Sequence, residues 1–164
     1  MNNVFLYRMP LGIAGAVSRL RDLTVEPAIL DADNMFPAYG LAGKYNGENF
    51  VPLAEGDTAD VIKGFLIRPW PTTANPDLVR QVGTGHRWSG DILKRGYMTV
   101  NVGGDASMVT KGGAVWVRVS NPTDDSPLGA ILAAEDGTSA VIVPDAEFTG
   151  AGDADGNVEI SYKI

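Results

Sequence analysis

The stretch "GGAVWVRVSNP", residues 112–122, decides the fold class. Val115, Val117 and Val119 alternate with Trp116, Arg118 and Ser120, so an extended chain presents an aliphatic face and a more polar one. β-branched residues suit a pleated surface. Two glycines precede the run and Asn121-Pro122 stops it, which bounds a strand. The same period of two recurs in "GYMTVNVGG", 96–104, where Met98, Val100 and Val102 oppose Tyr97, Thr99 and Asn101. It recurs in "NVEISYKI", 157–164, where Val158, Ile160, Tyr162 and Ile164 oppose Glu159, Ser161 and Lys163. "VIKGFLIRPWP", 61–71, is instead continuously apolar, the pattern of a strand buried on both faces, and Pro69 and Pro71 end it. "GAILAAEDGTSAVIVP", 129–144, reads as two strands around an Asp136-Gly137 turn, a pair suited to positive φ.

Outward from these runs, 20 glycines and 10 prolines punctuate the 164 residues, and long helical periodicity is hard to find. The chain is therefore expected to be all-β, a β-sandwich or jelly-roll-like barrel. Its length fits one domain with a real hydrophobic core. Residues 24–164 are read as that β-rich domain. Residues 1–23 are either an N-terminal arm or the domain's first strand, and Val25–Leu30 continues as an extended segment. Residues 71–96 lack alternation and are predicted to be a long central loop with a helical turn near Asp77–Val82. Loops of that length are uncommon unless functional.

The composition narrows the chemistry. There is no cysteine, so disulfides, thiolate metal sites and a cysteine nucleophile are excluded. No apolar run approaches the roughly 20 residues that span a bilayer. A secretory leader is not expected, since no basic region precedes the first apolar stretch and Arg8 and Pro10 interrupt it. The net charge is −7 and uneven. Residues 1–23 carry Arg8, Arg19 and Arg21 against Asp22, whereas 124–164 carry nine carboxylates against Lys163. Such a chain is a poor nucleic-acid binder, because phosphate contacts need clustered cations. The asymmetry suits a basic arm reaching an acidic neighbour.

Motifs that would carry catalysis fail on spacing. In "GAGDADGNVEISYKI", Asp153, Asp155 and Asn157 mimic the start of a calcium loop. Glycine arrives two places early, though, and Ile164 stands where a bidentate Glu is needed. Asp155-Gly156 is read instead as the turn before the last strand, and "DADN", 31–34, is set aside as a metal site for the same reason. His86 is the sole histidine; with Ser89 and Asp91 in "GHRWSGD" it does not make a triad, whose roles need convergence in space. Glycines 83, 85 and 90 miss the dinucleotide spacing, and Lys111-Gly112-Gly113 reverses a phosphate loop. Trp70, Trp88 and Trp116 are scattered, which favours packing over a sugar platform. No catalytic, cofactor-binding or metal residues are expected, and the chain reads as a binding or structural module rather than an enzyme.

The ordered series "GFLIRPWPT" (64–72), "RGYMTV" (95–100), "KGGAVWVRV" (111–119) and "ADGNVEISY" (154–162) resembles the cement, or head decoration, proteins of tailed bacteriophages. The likeness spans nearly the whole chain. It implies a small β-domain on the outer surface of the virion that bridges neighbouring major capsid protein subunits. It also implies self-association as a dimer or trimer, with no enzymatic activity and no nucleic-acid or membrane partner. Candidate capsid or subunit contacts are Phe5, Tyr7, Leu11 and Ile13 for buried area and Arg8, Arg19 and Arg21 as charged anchors. The rival readings are a carbohydrate-binding β-module of a phage or bacterial surface fibre, and a carboxylate-pair hydrolase, for which no spacing picks out a pair.

Overall fold

The computed structural model describes residues 12–69, 83–84 and 87–164. Ten strands follow in chain order: β1 (Val17–Asp31), β2 (Ala42–Asn46), β3 (Asn49–Pro52), β4 (Gly64–Ile67), β5 (Gly83–Thr84), β6 (Arg87–Asn101), β7 (Ala114–Arg118), β8 (Ile131–Leu132), β9 (Ala140–Phe148) and β10 (Asn157–Tyr162). Among the described residues the only helical pieces are single 3₁₀ turns at Ala59–Val61 and Gly137–Ser139. The all-β expectation holds.

The strands form one sheet in the order β1-β3-β2-β4-β6-β10-β9-β7-β8, with β5 hydrogen-bonded to β6. All described pairings are antiparallel except β1 with β3. A further pairing of β1 with β6 closes the circuit β1–β3–β2–β4–β6 on itself. The arrangement is thus part barrel and part open sheet, and two cores result.

The smaller core is Leu30, Phe36, Tyr39, Leu41, Phe50, Leu66, Ile92 and Ala130. Strands β1, β3, β4 and β6 each send a residue into it, and Gly43 of β2 faces the rings of Phe36 and Phe50. The larger core gathers Phe65, Ile67, Leu93, Met98 and Val100 with Val115, Val117, Phe148, Val158, Ile160 and Tyr162. Strand β4 sends Leu66 one way and Phe65 and Ile67 the other, so its continuous apolar run serves both cores. Each fully buried side chain of this kind contributes about 1.5–3 kcal/mol relative to exposure.

The alternation in β7 holds: Val115, Val117 and Val119 are buried, Trp116 and Arg118 only partly so. The Asp136-Gly137 segment does separate two strands, and Gly137 has φ 50°. Those strands do not pair with each other; β8 and β9 flank β7 on opposite edges.

One expectation is overturned. Part of the predicted loop, residues 87–96, is the first two-thirds of β6, and 83–84 is β5. Alternation fails there because Ile92 and Leu93 are both buried, one in each core. Trp70 and the helical turn near Asp77–Val82 lie outside the described residues. The boundary between 23 and 24 falls inside β1, which runs through it as strand.

Candidate functional site

No catalytic constellation emerges among the described residues, and the first half of β1 is the candidate contact surface. This strand is unusual in leaving Arg19–Asp22 and Thr24–Pro27 exposed in succession. Backbone pairing to β6 holds it, from Val17↔Met98 to Asp31↔Arg87. The pairing jumps from Arg19↔Tyr97 to Thr24↔Arg95, so residues 20–23 stand opposite Gly96 alone. A bulge of this size throws the chain outward. Asp22 takes φ 61°, a left-handed conformation that is uncommon for residues other than glycine.

Both flanks of the bulge are fixed. On one side Arg19 donates from Nε to Glu159 Oε2 at 3.2 Å and from Nη2 to Oε1 at 2.5 Å. Its guanidinium also lies over the Tyr97 ring, 4.3 Å from the centroid. Glu159 further accepts from Thr149 Oγ1 at 2.6 Å. Burial pushes the Glu159 carboxyl up. Hydrogen bonds from Arg19, Ser18 and Thr149 and the charge of Arg19 outweigh that, and hold it below its ordinary value. By distance and angle, though, the buried Ser18 hydroxyl has no hydrogen-bond partner among the described residues, so Arg19 and Thr149 are the donors that hold Glu159. The hydrogen bond to Glu159 correspondingly raises Arg19. On the other side Arg95 pairs with Asp22 at 3.8 Å and donates from Nε to the Lys163 carbonyl at 3.0 Å. Leu23 turns back and packs on the larger core.

Between these anchors Leu20 is 85% exposed and Arg21 is exposed beside it. Arg21 makes no hydrogen bond or ion pair within the described residues. Of the candidate contact residues, then, Arg19 is committed to Glu159, Arg21 points to solvent and Ile13 is partly exposed. Phe5, Tyr7, Arg8 and Leu11 lie outside the described residues. Leu20 escaped the sequence reading because a leucine between two arginines in a strand gives no sign of a bulge. Glu159 escaped because it sits on the polar face of β10, and nothing local shows that β1 covers that face.

Elsewhere, several polar groups among the described residues pair with one another. An open groove of about 590 Å³ is lined by Asn34, Lys44, Tyr45, Val51, Asp60 and Lys63 among others. Lys44 donates to Asp57 at 2.8 Å, Lys63 to the Asp60 carbonyl at 2.7 Å, and the Tyr45 hydroxyl to Glu26 at 2.7 Å. At the terminal turn Asp153 accepts from the Asn157 backbone N–H at 2.8 Å and from its side-chain amide at 3.2 Å. Gly156, at φ 87°, completes a tight turn before β10. Among the described residues no group of three or more acids or histidines converges as a metal site. Ser89 and Asp91 lie on β6, and His86 lies outside the described residues.

Comparison with known proteins then adds an independent line. The family model for XM1 gp53 minor capsid protein matches residues 1–162. Among solved structures, a chain of the capsid of Myoviridae phage XM1 is similar, with a TM-score of 0.72 and 20% identity, over 98% of this chain and 96% of that one. At that identity the likeness speaks for the fold. No curated protein matches.

Proposed function

Because this chain belongs to the XM1 gp53 minor capsid protein family, a bacteriophage capsid structural role is its premise, and we propose that it binds the outside of the shell and cements neighbouring major capsid protein subunits. The family match along residues 1–162 is the observation that carries this reading. The surface supports it. Exposed apolar side chains at Ile13 and Leu20 offer adhesive area on a body whose own cores are filled. A ligand that binds only the assembled shell stabilises it by mass action. Many modest links, each closed at high effective concentration, add up over a shell.

In this reading Ile13 and Arg21, with Phe5, Tyr7, Arg8 and Leu11 ahead of them, supply contacts to the capsid or to a sister subunit. The protein associates as a dimer or trimer and carries no enzymatic activity. The test mixes the purified chain with expanded, undecorated heads. Co-sedimentation with a raised melting temperature of the heads is expected. Heads that pellet without the chain, and melt unchanged, would remove the cementing role. Light scattering of the free chain reads its self-association separately.

A further inference from the structure

We propose that the β1 bulge is the docking peg of this protein, with Leu20 seated in an apolar hollow of a neighbouring capsid subunit and Arg21 paired with a carboxylate at the rim of that hollow. The proposal rests on the cementing reading and names its contact.

Three features single out this site. Leu20 is 85% exposed, although residues on either side of it are fixed to the body. Exposed leucine carries a standing hydration penalty that a partner's apolar surface relieves. Arg21 is the adjacent cation, while Arg19 is neutralised by Glu159 and Arg95 is engaged with Asp22 and the Lys163 carbonyl. An unpaired guanidinium beside an exposed leucine selects a surface that offers a carboxylate next to apolar area.

The third feature is rigidity. Asp22 holds φ 61°, a left-handed conformation that aspartate takes more readily than most residues, between the close Arg19–Glu159 pair and the longer Arg95–Asp22 contact. A tip fixed in this way loses little conformational entropy on docking. Met108 is equally exposed, at 86%, but it lies in a turn segment with no comparable clamp and serves as the contrast.

The experiment compares retention by expanded heads for the native chain and for Leu20→Asp, Arg21→Glu and Met108→Asp, with thermal melts of each free variant. Leu20→Asp should weaken retention roughly 10- to 100-fold, the range expected for a lost buried leucine, with its own melting temperature unchanged. Arg21→Glu should weaken it most at low salt, since a rim charge pair is screened as salt rises. Met108→Asp should bind as the native chain does. Undiminished retention of Leu20→Asp would overturn the peg while leaving cementing intact. So would a Leu20→Asp variant that loses self-association yet still decorates heads, because the occupant would then be a second copy. Failure of the native chain to bind heads would instead strike down the cementing role, and the peg with it.

Discussion

Arg19→Ala and Glu159→Gln remove the two halves of one ion pair, and they should not be equivalent. The Glu159 side chain is 11% exposed and that of Arg19 51%. Losing Arg19 leaves a largely buried carboxylate with Thr149 as its remaining side-chain donor, and a charged group so short of partners costs about 2–3 kcal/mol. Losing the Glu159 charge leaves a guanidinium half in water and stacked on Tyr97, so solvent screening reduces the loss to about 1 kcal/mol. For a chain of this size each kcal/mol moves the melting temperature by about 2–4 °C, so Arg19→Ala should melt roughly 4–12 °C low.

The pH dependence sharpens the test. Burial raises Glu159 and its hydrogen bonds and Arg19 lower it further, leaving the folded value below the ordinary 4.5. The folded state therefore binds this proton less tightly than the unfolded chain. Its stabilising contribution is complete above the unfolded value and is lost as pH falls through the folded one. Without Arg19, its hydrogen bonds and its charge no longer hold the carboxyl down, and the folded value rises. The deficit of Arg19→Ala against the native chain should then be widest near neutrality and should narrow as pH falls through the raised value of the stranded carboxyl and it becomes protonated. Circular dichroism melts of both single variants and the double variant across this range decide it. A deficit that stays constant with pH, or a Glu159→Gln variant at least as damaged as Arg19→Ala, would refute the assignment of Arg19 to an internal clamp.

Two further predictions concern the body of the fold. A Cβ at Gly43 would come within 2.5 Å of Phe50 Cζ, 2.7 Å of Phe36 Cζ and 2.8 Å of the Val51 carbonyl. Gly43→Ala should cost about 3 kcal/mol by forcing apart the stacked rings, whereas Gly104→Ala, with open space around it, should leave the thermal melt unchanged. The Tyr45 phenol is pushed up to about 12 by burial first, then by its hydrogen bond to Glu26 and the charge of that residue. A raised folded value means that its contribution is whole below the unfolded value near 10 and is lost as pH rises towards about 12. Glu26→Gln should therefore lower the pH at which this tyrosine ionises in an ultraviolet titration; an unmoved curve would contradict the contact.

The sequence spoke clearly wherever a strand had one dry face. In β7, Val115 and Val117 are buried and their neighbours are not, and in β4 an unbroken apolar run meets two cores. It spoke poorly in β6, where polar Ser89, Asp91 and Arg95 surround Ile92 and Leu93, which fall into different cores. Gly90 adds to the disguise: a Cβ there would already press on Leu30 at 3.0 Å and Leu66 at 3.2 Å, so the strand carries no side chain where these two leucines close in. Strand β1 is illegible for the opposite reason. Its middle is held by backbone pairing and buries little, so no hydrophobic period marks it.

The contact surface was harder to read than the fold because charge counting treats Arg19 and Arg21 alike. Two residues apart on a regular strand, they would share a face and act together. Within the described chain they are parted by what β10 offers: Glu159 lies under Arg19 and takes its charge inward, while the bulge carries Arg21 out with Leu20. Arg19 and Arg21 therefore sit in different surroundings. One cation fixes the strand to the body, and the strand so fixed can present the other. It follows that breaking the clamp should blunt the peg without touching it. Arg19→Ala should weaken head retention through mobility of residues 20–23, and Glu159→Gln, which breaks the same clamp from the other side, should do so to a smaller degree. Hydrogen exchange of the bulge amides measures the mobility directly. A loss of retention in Arg19→Ala that comes with unchanged exchange would mean that Arg19 touches the capsid itself.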